Sequence, residues 1–302
     1  MRLGFIGIGI MGEAMCRRLL ERGWGVTAWN LEPERLELVR PYGASIASSP
    51  RAVVEQSDVV LMCVLNGHAV WDCVFGVEGV ATASNLTGKI LIDHSTIDPT
   101  EARDFAAQLF NSTGMAWIDA PVSGGPGAAR DGTLAIMCGG ESEQLDRVGP
   151  ILNDLASRYT HMGSVGAGQT AKIINQVIVC TNYVVMAEAL ILAEKAQLNA
   201  GLIPECLGTG FAESRLLRQL YPQMQERRFE PPLAYSRQIL KDLKAVKQFA
   251  SKLGLNLPVV AAASDQYAHY VSSGHEMSDP ASIIRFYESE PSEKSHKTGT
   301  DL

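Results

Sequence analysis

Leu3-Gly4-Phe5-Ile6-Gly7-Ile8-Gly9-Ile10-Met11-Gly12 opens the chain, and its reading decides the fold of the first half. Leu3–Ile6 is an apolar run of strand length, and Gly7-Ile8-Gly9 is a turn. Gly12 is expected to open an amphipathic helix carrying Met15, Leu19 and Leu20. A glycine fingerprint alone recurs by chance; a strand before it and a helix after it give it weight. Glycine serves where a backbone turns tightly and where a pyrophosphate must come close. The helix N-terminus adds free N–H groups and a positive dipole end. Residues 7–12, with Ile8, Ile10 and Met11 between the glycines, are thus expected to hold a dinucleotide. The competing reading is an ordinary glycine-rich strand–helix turn.

Working outward, short apolar runs alternate with helical patterns. Strands are expected at Val26–Trp29, Val59–Cys63, Ile90–Asp93, Ala116–Ile118 and Leu134–Cys138, with Ser157–His161 as a last edge strand. Glu13–Glu21, Pro33–Val39 and Thr100–Phe110 have helical spacing. This alternation predicts an α/β fold with a doubly wound, Rossmann-type parallel sheet. Beyond Gly168 strand-like runs disappear, and no Gly or Pro interrupts a helix expected from about Gln169 to about Lys195. The chain therefore divides into a dinucleotide-binding domain at 1–163 and an all-α domain at 164–287. Residues 288–302 are polar and aperiodic, and are expected to be a mobile tail.

Composition narrows the function classes. With 46% hydrophobic and 20% charged residues, the 302-residue chain can bury an ordinary core. A net charge of -7 argues against a nucleic-acid surface or an anionic membrane as partner. The apolar stretch from Ile173 to Ala193 contains Asn175, Gln176, Asn182 and Glu188, which suits a buried helix better than a membrane span. Six scattered cysteines without a C-x-x-C pair read as reduced thiols in core positions of a cytoplasmic protein, with no metal site. Gly7, Gly9, Gly12 and Glu13 break up what would otherwise resemble a secretory leader.

The strand ends supply the candidate site. An acid after the second strand would accept from a ribose 2′-hydroxyl and repel a 2′-phosphate. Here Asn30 stands there, with no such repulsion. Arg35 is near enough in sequence to meet a phosphate, or is simply a solvated surface charge. Leu31 offers no cation, and Glu32 opposes an anion. The cofactor is thus NADP or NAD, with NADP favoured narrowly. Val64 and Leu65 after one strand, and Ser95 and Thr96 after another, are expected to line the cofactor cleft; His94 reads as structural.

Lys172, Asn175 and Gln176 share one face of the long helix. A lysine among Ala171, Ile173 and Ile174, partly desolvated beside a cationic ring, would be a general acid–base. Taken alone it reads equally as a lysine snorkelling along a helix. Asp119-Ala120-Pro121-Val122-Ser123-Gly124-Gly125 follows an apolar strand; Ser123 carries a hydroxyl, and Gly124 and Gly125 can offer unobstructed N–H groups to a carboxylate. The plain alternative is a strand-exit loop. Lys241-Asp242 reads by itself as an exposed ion pair.

In this order, these segments resemble the β-hydroxyacid dehydrogenase family over about residues 1 to 287. The resemblance implies a dinucleotide loop at Gly7, Gly9 and Gly12, substrate contacts at Ser123, Gly124 and Gly125, and Lys172 as catalytic acid–base. It puts Asn175 and Lys241 beside substrate or cofactor, and implies a small carboxylate substrate and a homodimer or homotetramer assembled through the helical domain. Gly168-Gln169-Thr170-Ala171-Lys172-Ile173-Ile174-Asn175-Gln176 and Gly210-Phe211-Ala212-Glu213-Ser214-Arg215 look most like the tartronate semialdehyde reductases of that family, ahead of its 3-hydroxyisobutyrate dehydrogenases. Two rivals are an imine reductase of similar architecture, which generally carries another residue at the lysine position, and a catalytically silent NADP-binding regulator. The chain departs from the family at Asn66-Gly67-His68, where many members have a proline-acid turn, and at Leu31, where NADP users commonly carry arginine.

Overall fold

The computed structural model describes residues 1–288. They form two compact units, Met1–Lys172 and a second beginning at Ile173. The division falls inside one helix, whereas the change of sequence character places it near residue 163. The expected tail lies outside the described residues except for Glu288, which closes the last helix.

The first unit contains nine strands, β1 (Leu3–Ile6), β2 (Val26–Trp29), β3 (Ser45–Ile46), β4 (Val59–Met62), β5 (Ile90–Asp93), β6 (Ala116–Asp119), β7 (Val122–Ser123), β8 (Leu134–Gly139) and β9 (Ala156–Gly163). They join in one sheet, ordered β3-β2-β1-β4-β5-β6-β8-β7, with β9 paired to β8. Pairing is parallel from β3 through β6. β6 and β7 each run antiparallel to β8, and β9 runs parallel to it. The helices of this unit are α1 (Ile10–Glu21), α2 (Pro50–Glu55), α3 (Gly67–Phe75), α4 (Pro99–Thr113), α5 (Gly125–Asp131) and α6 (Ser142–Leu155). Every residue of β1, β4 and β5 is buried, as expected of parallel strands covered on both faces. Leu3, Phe5, Leu61 and Ile92 belong to one apolar cluster, and Ile6, Val60, Met62 and Leu91 to another.

The five strands expected after Leu3–Ile6 are present with shifts of a residue or less. The edge strand is longer than Ser157–His161. Two strands escape sequence reading, β3 and β7, because two residues carry no measurable alternation. Pro33–Leu38 is a 3-10 helix, not an α-helix. α1 begins at Ile10, two residues before Gly12, so Gly12 lies within its first turn.

α7 (Ala167–Lys195), of 29 residues, crosses the boundary between the units. The second unit continues with α8 (Ile203–Cys206), α9 (Arg215–Gln225), α10 (Ser236–Lys252), α11 (Pro258–Tyr270) and α12 (Ile284–Glu288). α7 is long and apolar enough to cross a membrane by length and composition alone. Its Cys180, Ala187 and Leu190 are instead buried in one cluster with Leu220 and Tyr221 of α9, Leu243 of α10 and Tyr267 of α11. Two of the buried phenols are paired, Tyr267 donating to the Pro280 carbonyl and Tyr270 to that of Ser282, each at 2.9 Å, whereas the Tyr221 hydroxyl has no hydrogen-bond partner among the described residues. Four cysteines are buried and Cys63 half-buried. Cys206, at the end of α8, is exposed, so it is not the core thiol expected.

Candidate active site

The strand order reverses at β1, which pairs with β2 on one side and β4 on the other. Ligands of open α/β sheets bind outside the carboxyl ends of the strands at such a switch point. The strand ends are level there, with Ile6 beside Trp29 and Met62, and Met62 beside Asp93. Hydrogen bonding continues past the ends: Gly7 N donates to Trp29 O, Cys63 N to Ile6 O and His94 N to Met62 O, at 2.9, 2.9 and 2.8 Å. The loops that leave β1, β4 and β5 are therefore held side by side.

The three glycines of the loop do different work. Gly7 has φ +96, and a Cβ there would overlap the Cys63 carbonyl. A Cβ on Gly12 would overlap the Gly7 carbonyl, so only glycine lets α1 approach the turn. Gly9 meets nothing within 4 Å. Its missing side chain leaves open space at the N-cap of α1, where no side chain caps the helix. That cradle fits a pyrophosphate, and the residues present suit a dinucleotide.

Both backbone polar atoms of Ile8 are taken by side chains that follow β2. Ile8 N donates to Asn30 Oδ1 at 2.6 Å, and Arg35 Nε donates to Ile8 O at 3.0 Å. Asn30 and Arg35 thus brace the loop, and Arg35 is not merely a solvated charge. Ser95 Oγ accepts from Val64 N at 3.0 Å, tying together the loops that leave β4 and β5. Leu65 is exposed and Thr96 half-buried. His94 is buried; its Nδ1 donates to the Ala120 carbonyl at 2.7 Å, and burial pushes its pKa down to about 4. The ring is thus held neutral, and its Nε2 has no hydrogen-bond partner among the described residues.

Asp119–Gly125 is not a simple exit loop. Val122 and Ser123 form β7, paired with Ile136 and Ala135 of β8. Gly124, at φ +132, and Gly125, at φ +74, turn the chain into α5. Gly125 has open space where a side chain would stand. Lys172 is half-buried, and its Nζ donates to the Val122 carbonyl oxygen at 2.9 Å. The lysine and the Ser123-Gly124-Gly125 segment, 47 or more residues apart in sequence, are therefore neighbours.

Two residues with no role in the sequence reading hold this arrangement. The buried Asp119 carboxylate accepts from Gly166 N through Oδ1 and from Gln169 N through Oδ2, both at 2.8 Å. It caps the start of α7 from the end of β6, a favourable place for an anion. Gln169, fully buried, donates to Ser95 O at 2.7 Å and accepts from Ile97 N at 3.2 Å. The one signal in sequence is Gly166-Ala167-Gly168 beside them; a Cβ on Gly168 would collide with the Asp119 carbonyl.

The remaining candidates lie in the second unit. Asn175 Nδ2 donates to Gln176 Oε1 at 2.6 Å, and Gln176 Nε2 to Asp242 Oδ2 at 2.5 Å. Lys241 Nζ stands 3.4 Å from Asp242 Oδ1, whose side chain is largely buried. Lys241-Asp242 is thus part of a polar chain reaching Asn175, rather than the exposed pair that the sequence alone suggests.

Residues 2–163 match the model of the NAD binding domain of 6-phosphogluconate dehydrogenase, and residues 166–287 that of the NAD-binding domain of NADP-dependent 3-hydroxyisobutyrate dehydrogenase. The chain is 37% identical to 2-hydroxy-3-oxopropionate reductase of Escherichia coli strain K12, over 95% of this chain and 97% of that one. The chain belongs to the β-hydroxyacid dehydrogenase family. Two 3-hydroxyisobutyrate dehydrogenase structures share its architecture. That from Mycobacterium tuberculosis, with L-serine, is 29% identical with TM-score 0.84 over 95% of this chain and 99% of its own. That from Salmonella typhimurium is 26% identical, also with TM-score 0.84, over 94% and 99%. As a β-hydroxyacid dehydrogenase, the chain is an NAD(P)-dependent oxidoreductase that interconverts short 3-hydroxy acids and their 3-oxo acids.

Proposed function

We propose that the substrate is tartronate semialdehyde (2-hydroxy-3-oxopropionate), reduced to the corresponding hydroxy acid, with Lys172 as the catalytic acid–base. A bound nicotinamide supplies the hydride to the carbonyl carbon, or takes it in the reverse direction. Lys172 Nζ gives the proton to the carbonyl oxygen as the alkoxide forms. An ammonium fixed at that oxygen stabilises charge that develops mainly in the transition state. Ser123 Oγ and the backbone of Gly124 and Gly125 hold the substrate carboxylate, and Asn175, one turn beyond Lys172 on α7, is a further polar group for the substrate.

The observation that carries this reading is the 2.9 Å bond from Lys172 to the Val122 carbonyl, which puts the amine next to Ser123. The choice of substrate is supported by the 37% identity to 2-hydroxy-3-oxopropionate reductase. Tartronate semialdehyde carries a hydroxyl where methylmalonate semialdehyde carries a methyl. A site built to bond a hydroxyl rejects the methyl analogue strongly, whereas an apolar pocket discriminates weakly. The test is oxidation of reduced nicotinamide with both semialdehydes. A higher kcat/KM for tartronate semialdehyde is expected; preference for the methyl compound reassigns the substrate, and failure on both removes the proposal.

A homodimer or homotetramer through the helical unit is part of the same proposal. Ile174, Ile178, Val185 and Leu192 are 58%, 56%, 48% and 70% exposed at spacings that place them along one side of α7. Such an apolar stripe on a core helix suits burial against another copy. Ile178→Asp should shift the mass measured by light scattering towards the monomer.

A further inference from the structure

We propose that Glu32 reads the adenosine ribose and sets the coenzyme preference to NAD(H) over NADP(H). This rests on the glycine loop being the dinucleotide site.

Asn30, buried after the end of β2, commits its Oδ1 to Ile8 N. Its Nδ2 is left to donate, and it donates twice to Glu32: to the backbone carbonyl at 3.1 Å and to the carboxylate Oε2 at 2.9 Å. The uncharged amide thereby draws a charged carboxylate back to the strand end. Glu32 stands twenty residues after Gly12, the interval at which an acid accepts from a ribose 2′-hydroxyl in dinucleotide folds. Its Oε1 has no hydrogen bond among the described residues and is available to accept.

Charge in this corner disfavours a 2′-phosphate. The cation that the hydrogen bonds hold here is Arg35, and its Nε is occupied by the Ile8 carbonyl. Leu31 between them is 75% exposed and brings no second cation. A phosphate would gain one guanidinium and meet one carboxylate, whereas a ribose hydroxyl finds the acceptor it needs. Sequence reading favours NADP narrowly because Asn30 is neutral; the hydrogen bonding shows what that neutral residue holds.

The same bonds separate specificity from loop support. Arg35 braces Ile8, so its loss should weaken both coenzymes. Glu32 has no hydrogen bond to the glycine loop among the described residues, so its loss should change mainly their ratio. The experiment is calorimetric titration of the full chain with NAD+ and NADP+, repeated with ADP-ribose and its 2′-phosphate, for the natural protein, Glu32→Gln and Arg35→Gln. Glutamine keeps a partner for Asn30 and removes the charge, and Tm should not move because Glu32 is exposed. The natural protein is expected to bind NAD+ at least about tenfold more tightly than NADP+, and Glu32→Gln to shrink that ratio about tenfold, mainly by tightening NADP+. Tighter binding of NADP+ by the natural protein, or an unchanged ratio in Glu32→Gln, overturns the assignment. Binding of neither coenzyme overturns the dinucleotide site itself, and this assignment with it.

Discussion

Lys172 Nζ donates to the Val122 carbonyl oxygen across 2.9 Å, from the second turn of α7 to the strand that carries Ser123. The bond holds a flexible four-carbon side chain in one place, which in the proposed reaction spares the proton donor a search for geometry. Lys172→Ala should lower kcat by at least about 10²-fold, the usual cost of a lost acid–base, while coenzyme affinity by titration stays within a few-fold. Near-normal turnover in that variant would remove Lys172 from the chemistry.

Asp119 holds the start of α7 through two buried N–H bonds. Asp119→Ala leaves both donors unpaired, at about 1–3 kcal/mol each, and releases the turn that precedes Lys172. We expect a lower Tm together with a lower kcat, with Asp119→Asn intermediate because it keeps one acceptor. A variant with lowered Tm and full kcat would show that the clamp supports the fold alone.

The glycine loop separates packing from ligand space. Gly12→Ala should destabilise the protein, because the new methyl overlaps the Gly7 carbonyl. Gly9→Ala adds its methyl to open space, so thermal unfolding should be unchanged while coenzyme binding weakens. Equal effects of both variants on Tm would contradict this division.

Asp93 predicts a pH dependence of stability. Burial pushes its carboxyl up to about 7 against the pull of the Ser95 bonds, and Asp119 adds to the rise. Its Oδ2 has no hydrogen-bond partner among the described residues. A folded value above the unfolded one means that the stabilising contribution is complete below about pH 4 and is lost as pH rises through about 7. His94, pushed down to about 4 by burial, works in the opposite sense: its contribution is complete above about 6.5 and is lost as pH falls through about 4. The two slopes oppose between about pH 4 and about 6.5, and from there to about 7 only that of Asp93 remains. Asp93→Asn should therefore gain stability relative to the natural protein from about pH 4 to about pH 7, by up to about 1.4 kcal/mol per pH unit, with the difference levelling off above that. Denaturant unfolding at several pH values measures this, and a constant difference would refute it.

Local pattern carried much of the fold. The β1–Gly7–α1 unit, the buried strands and the long helix through Lys172 could be read because apolar periodicity and glycine placement act over a few residues. β7, of two residues, has no such pattern and exists only because Val122 and Ser123 find Ile136 and Ala135 across β8. Sequence order placed Lys172 on a helix and Ser123 after a strand, and family resemblance gave them roles. Their proximity depends on Asp119, which meets Gly166 and Gln169 across 47 and 50 residues. Glu32, which in sequence does no more than oppose an anion, is drawn to the strand end because Asn30 faces both it and Ile8. Residue type and spacing determine which backbone an isolated segment prefers. Which donor meets which acceptor is decided only when the sheet's register brings distant strand ends level, since a hydrogen bond acts over about 3 Å and takes no account of separation along the chain.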